Sequence, residues 1–208
     1  MKSFIKEFAA LLVLAAVFVA ISFLARSHQS FFAAVVESGG IFSKLGFVAL
    51  TALFVIFIIP LDIAFLIPIA VSLWGPLPTA LMSILGWVLG SSVAFFIARS
   101  FGTPVVATMI GLKRIRDMQA RIPTKNLFWS VVMLRMFVSV DILSYALGLF
   151  SSIEWRSYML ATTLGVMPFG FYFAYTSTLA LWYQIAAVGV VIALAAIVFL
   201  RYGLSKEV

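Results

Sequence analysis

The sequence predicts an all-α integral membrane protein with about four transmembrane helices and two oppositely oriented re-entrant, broken hairpins that form an inverted repeat. Three observations carry this reading. Of the 208 residues, 64% are hydrophobic and 10% are charged, with a mean hydropathy of +1.20; a soluble domain is about 25% charged. The apolar block from Leu45 to Gly75 is interrupted by Pro60-Leu61-Asp62 and by Pro68, and it is too long for one crossing of ~20 residues and too short for two. An aspartate sits at the same place in each of two related stretches, Leu61-Asp62-Ile63 and Val140-Asp141-Ile142, 79 residues apart.

The elements follow in order. Lys2 and Lys6 precede an apolar run from Phe8 to Ala25, longer than the apolar region of a signal peptide and without a clear small-residue cleavage site, which reads as a retained first helix. Arg26 to Lys44 is more polar and is expected to lie along the interface. The Leu45–Gly75 block then suits a helix, a break and a returning half-helix, because broken helices are tolerated where they line a cavity. Pro76 and Pro78 punctuate the return, and a full helix is expected from Thr79 to about Arg99. Along it Gly86, Gly90, Ala94 and Ala98 recur every four residues, a stripe that permits close helix packing.

From 100 to 126 the chain is basic, with Lys113, Arg114, Arg116, Arg121 and Lys125 against Asp117. By the positive-inside rule this loop is cytoplasmic. Leu112, Ile115, Met118 and Ile122 recur at helical spacing within it, as in a surface helix near anionic headgroups. A second interrupted block, Leu127 to Ser152, holds Arg135 and Asp141. Helices near Trp155–Tyr175 and Leu179–Arg201 complete the chain. The whole reads as one membrane domain: first repeat about 45–99, basic loop 100–126, second repeat about 127–177 and last helix 179–201. Counting crossings places both termini in the cytoplasm and gives the repeats opposite orientations. Stretches 60–96 and 139–175 share six identities in 37 positions, among them Gly86 with Gly165 and Ser72 with Ser151.

Composition narrows the chemistry. There is no cysteine and a single histidine, His28, so thiol chemistry and histidine metal clusters are not expected, and no cofactor or metal is anticipated. The net charge of +7 points to anionic lipid headgroups rather than nucleic acid. No serine–lysine, serine–histidine or metal constellation suggests an enzyme. An ionisable residue near the bilayer centre costs roughly 2.5–3.5 kcal/mol, so it faces a cavity or a partner, and a duplicated pair suggests a transport pathway at a repeat interface. Asp62 and Asp141 are the candidate proton-coupling residues, and Arg135 is the candidate phosphate ligand, since its planar fork stays charged and binds oxygens in pairs. Ser139, Ser144 and Tyr145 are candidate donors to a headgroup, while Gly86, Gly90 and Gly165 are candidate packing positions. A buried arginine–aspartate bridge that only holds the hairpins together is the structural alternative.

The order of these features resembles the DedA-like membrane family, whose shared region is called the VTT or SNARE-associated domain. The resemblance covers 60–177. Its first block reads Pro60, Trp74-Gly75, Gly86-Trp87-Val88-Leu89-Gly90 and Arg99-Ser100-Phe101-Gly102; its second reads Arg135, Asp141-Ile142-Leu143-Ser144-Tyr145-Ala146-Leu147-Gly148 and Gly165-Val166-Met167-Pro168. Two departures stand out: Met136-Phe137-Val138-Ser139-Val140 replaces the usual prolines, and Asp62 is the only acid in the first re-entrant segment, in which many bacterial members carry a glutamate. The resemblance implies movement of phospholipid or polyprenyl-phosphate headgroups between leaflets of a plasma (bacterial inner) membrane, in some members coupled to protons. Small-anion carriage and a non-transporting role in membrane assembly or homeostasis are the alternatives, and oligomeric state is open.

Overall fold

The computed structural model describes residues 2–28, 30, 40–59, 66–110, 126–137, 140–180, 182–184, 186 and 189–190. Among them every regular element is helical, and the seven principal helices are α1 (Lys2–Ser27), α2 (Ile41–Ile56), α3 (Ile67–Trp74), α4 (Pro76–Ile110), α5 (Leu127–Phe137), α6 (Val140–Phe150) and α7 (Trp155–Thr176). The all-α expectation holds. One helix among the described residues, Pro76–Thr103, is long and apolar enough to cross a membrane. Most of the interfacial segment, the Pro60–Asp62 tip, the basic stretch 112–122 and most of the last helix lie outside the described residues.

Element order repeats in the two halves: α2, α3 and α4, then α5, α6 and α7. Local chemistry explains the boundaries. Gly75 takes φ 81°, a region that a β-carbon would strain, and so ends α3. Pro76 and Pro78 fit the first turn of α4, where a backbone N–H would have no intrahelical acceptor. Thr79 Oγ1 closes the turn by donating to Gly75 O at 2.8 Å.

Helical residues continue past Arg99. Rather than ending at Arg99, α4 turns at Gly102 (φ 68°, ψ −167°) and continues to Ile110. The reason lies in Thr103-Pro104-Val105-Val106-Ala107-Thr108-Met109-Ile110: Pro104 restarts a helix after the glycine turn, and the segment carries no charge to draw it into water.

The two long helices α4 and α7 are shared by two cores. One cluster joins Val55, Ile67, Val71, Ile84, Trp87, Val166 and Ala174, drawn from α2, α3, α4 and α7. The other joins Phe95, Val132, Leu143, Leu147, Tyr158 and Ala161, drawn from α4, α5, α6 and α7. The small-residue stripe on α4 serves both. Its glycine half receives α2: a β-carbon on Gly90 would lie 2.5 Å from Ala52 O, and one on Gly86 2.8 Å from Thr51 Cβ. Its alanine half receives α6, where a β-carbon on Gly148 would lie 2.7 Å from Ala98 Cβ. Away from these contacts α4 exposes Leu77, Leu81, Leu85, Leu89 and Val93, a row suited to lipid. At the far end of the bundle, Arg26 Nη2 ties α1 to the end of α7 by donating to Ser177 O (2.7 Å) and Leu179 O (2.6 Å).

Gly90→Leu is expected to lower the melting temperature of detergent-solubilised protein, since forced overpacking costs about 1–3 kcal/mol. Gly46→Ala is the control, because nothing stands within 4 Å of that position. Equal melting of the two variants would contradict the close α2–α4 contact.

Candidate functional site

Arg135 stands in the last turn of α5, where a cation complements the helix dipole. It is 2% exposed, so its charge lies inside the protein. Gly165 makes room for it: a β-carbon there would sit 2.5 Å from Arg135 Cβ. The glycine therefore lets α7 press against the arginine stem.

The guanidinium is surrounded by hydroxyls from two helices. Nη2 donates to Ser144 Oγ of α6 at 3.1 Å, and to Tyr158 Oη at 2.8 Å and Thr162 Oγ1 at 3.1 Å, both of α7. One nitrogen with two hydrogens faces three oxygens, so at least one hydrogen is shared. The guanidinium carbon also lies 5.5 Å from the centre of the Tyr158 ring. Tyr158 passes its own proton to Ser91 O of α4 at 2.9 Å. Serine and threonine hydroxyls both accept and donate. Ser144 and Thr162, which receive the arginine, are thus able to donate as well as accept, whereas Tyr158 has its hydrogen directed to Ser91 O.

A second polar contact joins the halves. Tyr145 Oη donates to Ile56 O at 2.7 Å. That bond completes the end of α2, whose last carbonyls would otherwise lack partners. Phe57 N donates to Leu53 O, Ile58 N to Val55 O and Ile59 N to Phe54 O. This is a Schellman ending, with Ile58 at φ 60° in the position that glycine usually fills. A β-branched residue there is strained, and such strain persists only where the surroundings impose it.

Among the sequence candidates, the structure brings Arg135, Ser144 and Gly165 together. Tyr145 is fully buried, with its proton on Ile56 O rather than turned toward an open site. Gly86 and Gly90 lie at the α2–α4 contact. Asp62 and Ser139 lie outside the described residues, and Asp141 is the second residue of α6, described by its backbone alone. Arg135 and Asp141 fall on different helices, since α5 ends at Phe137 and α6 begins at Val140. Sequence reasoning missed Tyr158, Thr162 and Ser91. Their signal was available: Tyr158, Thr162 and Gly165 follow i, i+4, i+7 spacing along one face of α7, a polar stripe on an apolar helix.

The family model of the VTT domain matches residues 59–179, more than half of the chain. No curated protein and no solved structure matches it significantly.

Tyr145→Phe removes this bond from Ile56 O, a half-buried carbonyl at the end of α2, which costs about 1 kcal/mol. Its melting temperature is expected to fall below that of the native chain, and Tyr183→Phe, at an exposed position, is expected to leave melting unchanged. A native melting temperature for Tyr145→Phe would contradict the capping bond.

Proposed function

Because the chain belongs to the VTT-domain family, the DedA family, and is a membrane-associated protein, we propose that it moves anionic lipid headgroups, phospholipid or polyprenyl phosphate, between leaflets. The single observation that supports this most is the buried Arg135, a permanent cation held by three hydroxyls at the junction of α5, α6 and α7. Phosphate oxygens suit a planar guanidinium, and a cation inside a membrane protein is the usual mark of a pathway for charge.

The finer layout belongs to the same proposal. Four spans flank two re-entrant elements, α2–α3 and α5–α6, in opposite orientations, with both termini cytoplasmic in a bacterial inner membrane. Proton coupling is assigned to Asp62 and Asp141, the matched carboxylates of the two repeats. No covalent chemistry and no cofactor enters the mechanism, and the partners are lipid and protons. At rest the hydroxyls hold the guanidinium; on arrival of a headgroup, phosphate oxygens take over from Ser144 and Thr162 while Tyr158 keeps its bond.

A second reading is favoured by one observation: among the described residues Arg135 already has hydroxyl acceptors from Ser144, Tyr158 and Thr162. It would then be a structural staple in a small-anion carrier or a non-transporting membrane assembly factor, because removing one partner of a buried charged network costs several kcal/mol whatever its function.

Leaflet exchange of fluorescent phospholipid and polyprenyl-phosphate probes in proteoliposomes separates these readings. The proposal expects exchange that is lost in Arg135→Ala while the protein still accumulates and melts cooperatively. It also expects Asp62→Asn and Asp141→Asn to make exchange insensitive to an inward proton gradient. Full exchange in all three variants would remove the site assignment, and no exchange by folded native protein would favour the second reading.

A further inference from the structure

Three residues of α4 stand one turn apart on a single face, Ser91, Phe95 and Arg99, and all three grip the start of α7. Arg99 Nη1 donates to Ile153 O at 3.0 Å and Nη2 to Ser151 O at 2.6 Å, in the turn that joins α6 to α7. The same guanidinium lies over the Phe95 ring, 4.4 Å from its centre. The Phe95 ring stacks on Tyr158 at 4.2 Å with an interplanar angle of 23°. Ser91 O accepts the Tyr158 proton. Tyr158 itself stands in the first turn of α7, its N–H bonded to Glu154 O at 2.9 Å.

These contacts leave Tyr158 no freedom. Its ring is fixed by Phe95 and its single proton is spent on Ser91 O, so toward Arg135 the hydroxyl acts only as an acceptor. Thr162 and Ser144 have rotatable hydroxyls, which adapt to what they meet. Tyr158 is the acceptor of Arg135 that is held at both ring and hydroxyl, so it sets where the guanidinium rests.

We propose that Tyr158 is the positioning residue of Arg135, and that Arg99 positions Tyr158 by holding the Ser151–Ile153 turn. The inference rests on reading Arg135 as the anion-binding group and adds the parts that keep it in register. Arg99 thus acts at a distance from the anion, through an aromatic pair and a turn. Replacing it by lysine keeps the charge but loses the fork that reaches two carbonyls at once.

The test measures leaflet exchange of the same two lipid probes by the native chain, Tyr158→Phe, Arg99→Ala and Arg99→Lys. Tyr158→Phe keeps the stacked ring and removes only the hydroxyl. It is expected to raise the half-saturating probe concentration up to roughly tenfold, because the guanidinium is then ordered only when the headgroup binds. Its maximal rate is expected to stay within about twofold of native. Arg99→Ala shifts the same constant in the same direction, and Arg99→Lys restores part of it. A native half-saturating concentration in Tyr158→Phe, or a loss confined to maximal rate, would overturn the inference.

A parallel arm needs no lipid probe. Melting temperatures are compared for Tyr158→Phe, Arg135→Met and the double variant. If Tyr158 acts on Arg135, the double variant loses less than the sum of the two single losses, because both changes remove the Tyr158–Arg135 bond while Tyr158→Phe alone also removes the bond to Ser91 O. Additive losses overturn the inference. Coupled melting in a chain that exchanges neither lipid removes the anion-binding reading and leaves Tyr158 as the residue that holds Arg135.

Discussion

A full charge kept inside an apolar bundle must find its acceptors within the protein, and the Arg135 guanidinium is the group around which this chain arranges them. Burial of an ion costs several kcal/mol even after relaxation. The compensation comes from Ser144, Tyr158 and Thr162, which requires α6 and α7 to converge on the end of α5. The convergence in turn requires Gly165, since any β-carbon there would collide with the arginine stem. The site and the packing are one arrangement seen at two scales.

The same constraint governs the helix ends. The carbonyls at a helix end lack an intrahelical partner, and leaving one unpaired costs a hydrogen bond. The protein answers with side chains sent from distant elements: Tyr145 to Ile56 O, Arg99 to Ser151 O and Ile153 O, and Arg26 to Ser177 O and Leu179 O. Each bond closes a helix end and fastens one part of the chain to another. Tyr145 links the α6 segment to the end of α2, and Arg99 links α4 to the turn before α7. The two halves are therefore joined by polar bonds at their ends as well as by the cores that α4 and α7 share.

Much of this was legible in the sequence because spacing and composition are local signals. The helical class followed from hydropathy, the α3–α4 boundary from Trp74-Gly75-Pro76, and the packing face of α4 from the repeat of Gly86, Gly90, Ala94 and Ala98. The run past Arg99 was harder to see, because a glycine turn followed by Pro104 looks like a loop until the apolar residues after it are given weight. Arg135 stood out as a charge in an oily segment. Its acceptors did not, because Tyr158 and Thr162 lie more than twenty residues away on another helix, and the fold alone brings them together. The bond of Tyr145 was hidden for a similar reason: sequence shows a hydroxyl near Asp141, not that it donates to the end of α2.

The central claim is that Arg135 is an anion-binding group and not only a staple. The most direct measurement is equilibrium binding of a short-chain phosphate lipid to detergent-solubilised protein, native against Arg135→Gln, with melting temperature recorded for both. The account predicts saturable binding by the native chain that raises its melting temperature, and loss of both effects in the folded variant. Equal binding by the two proteins, or none by the native chain, would contradict it.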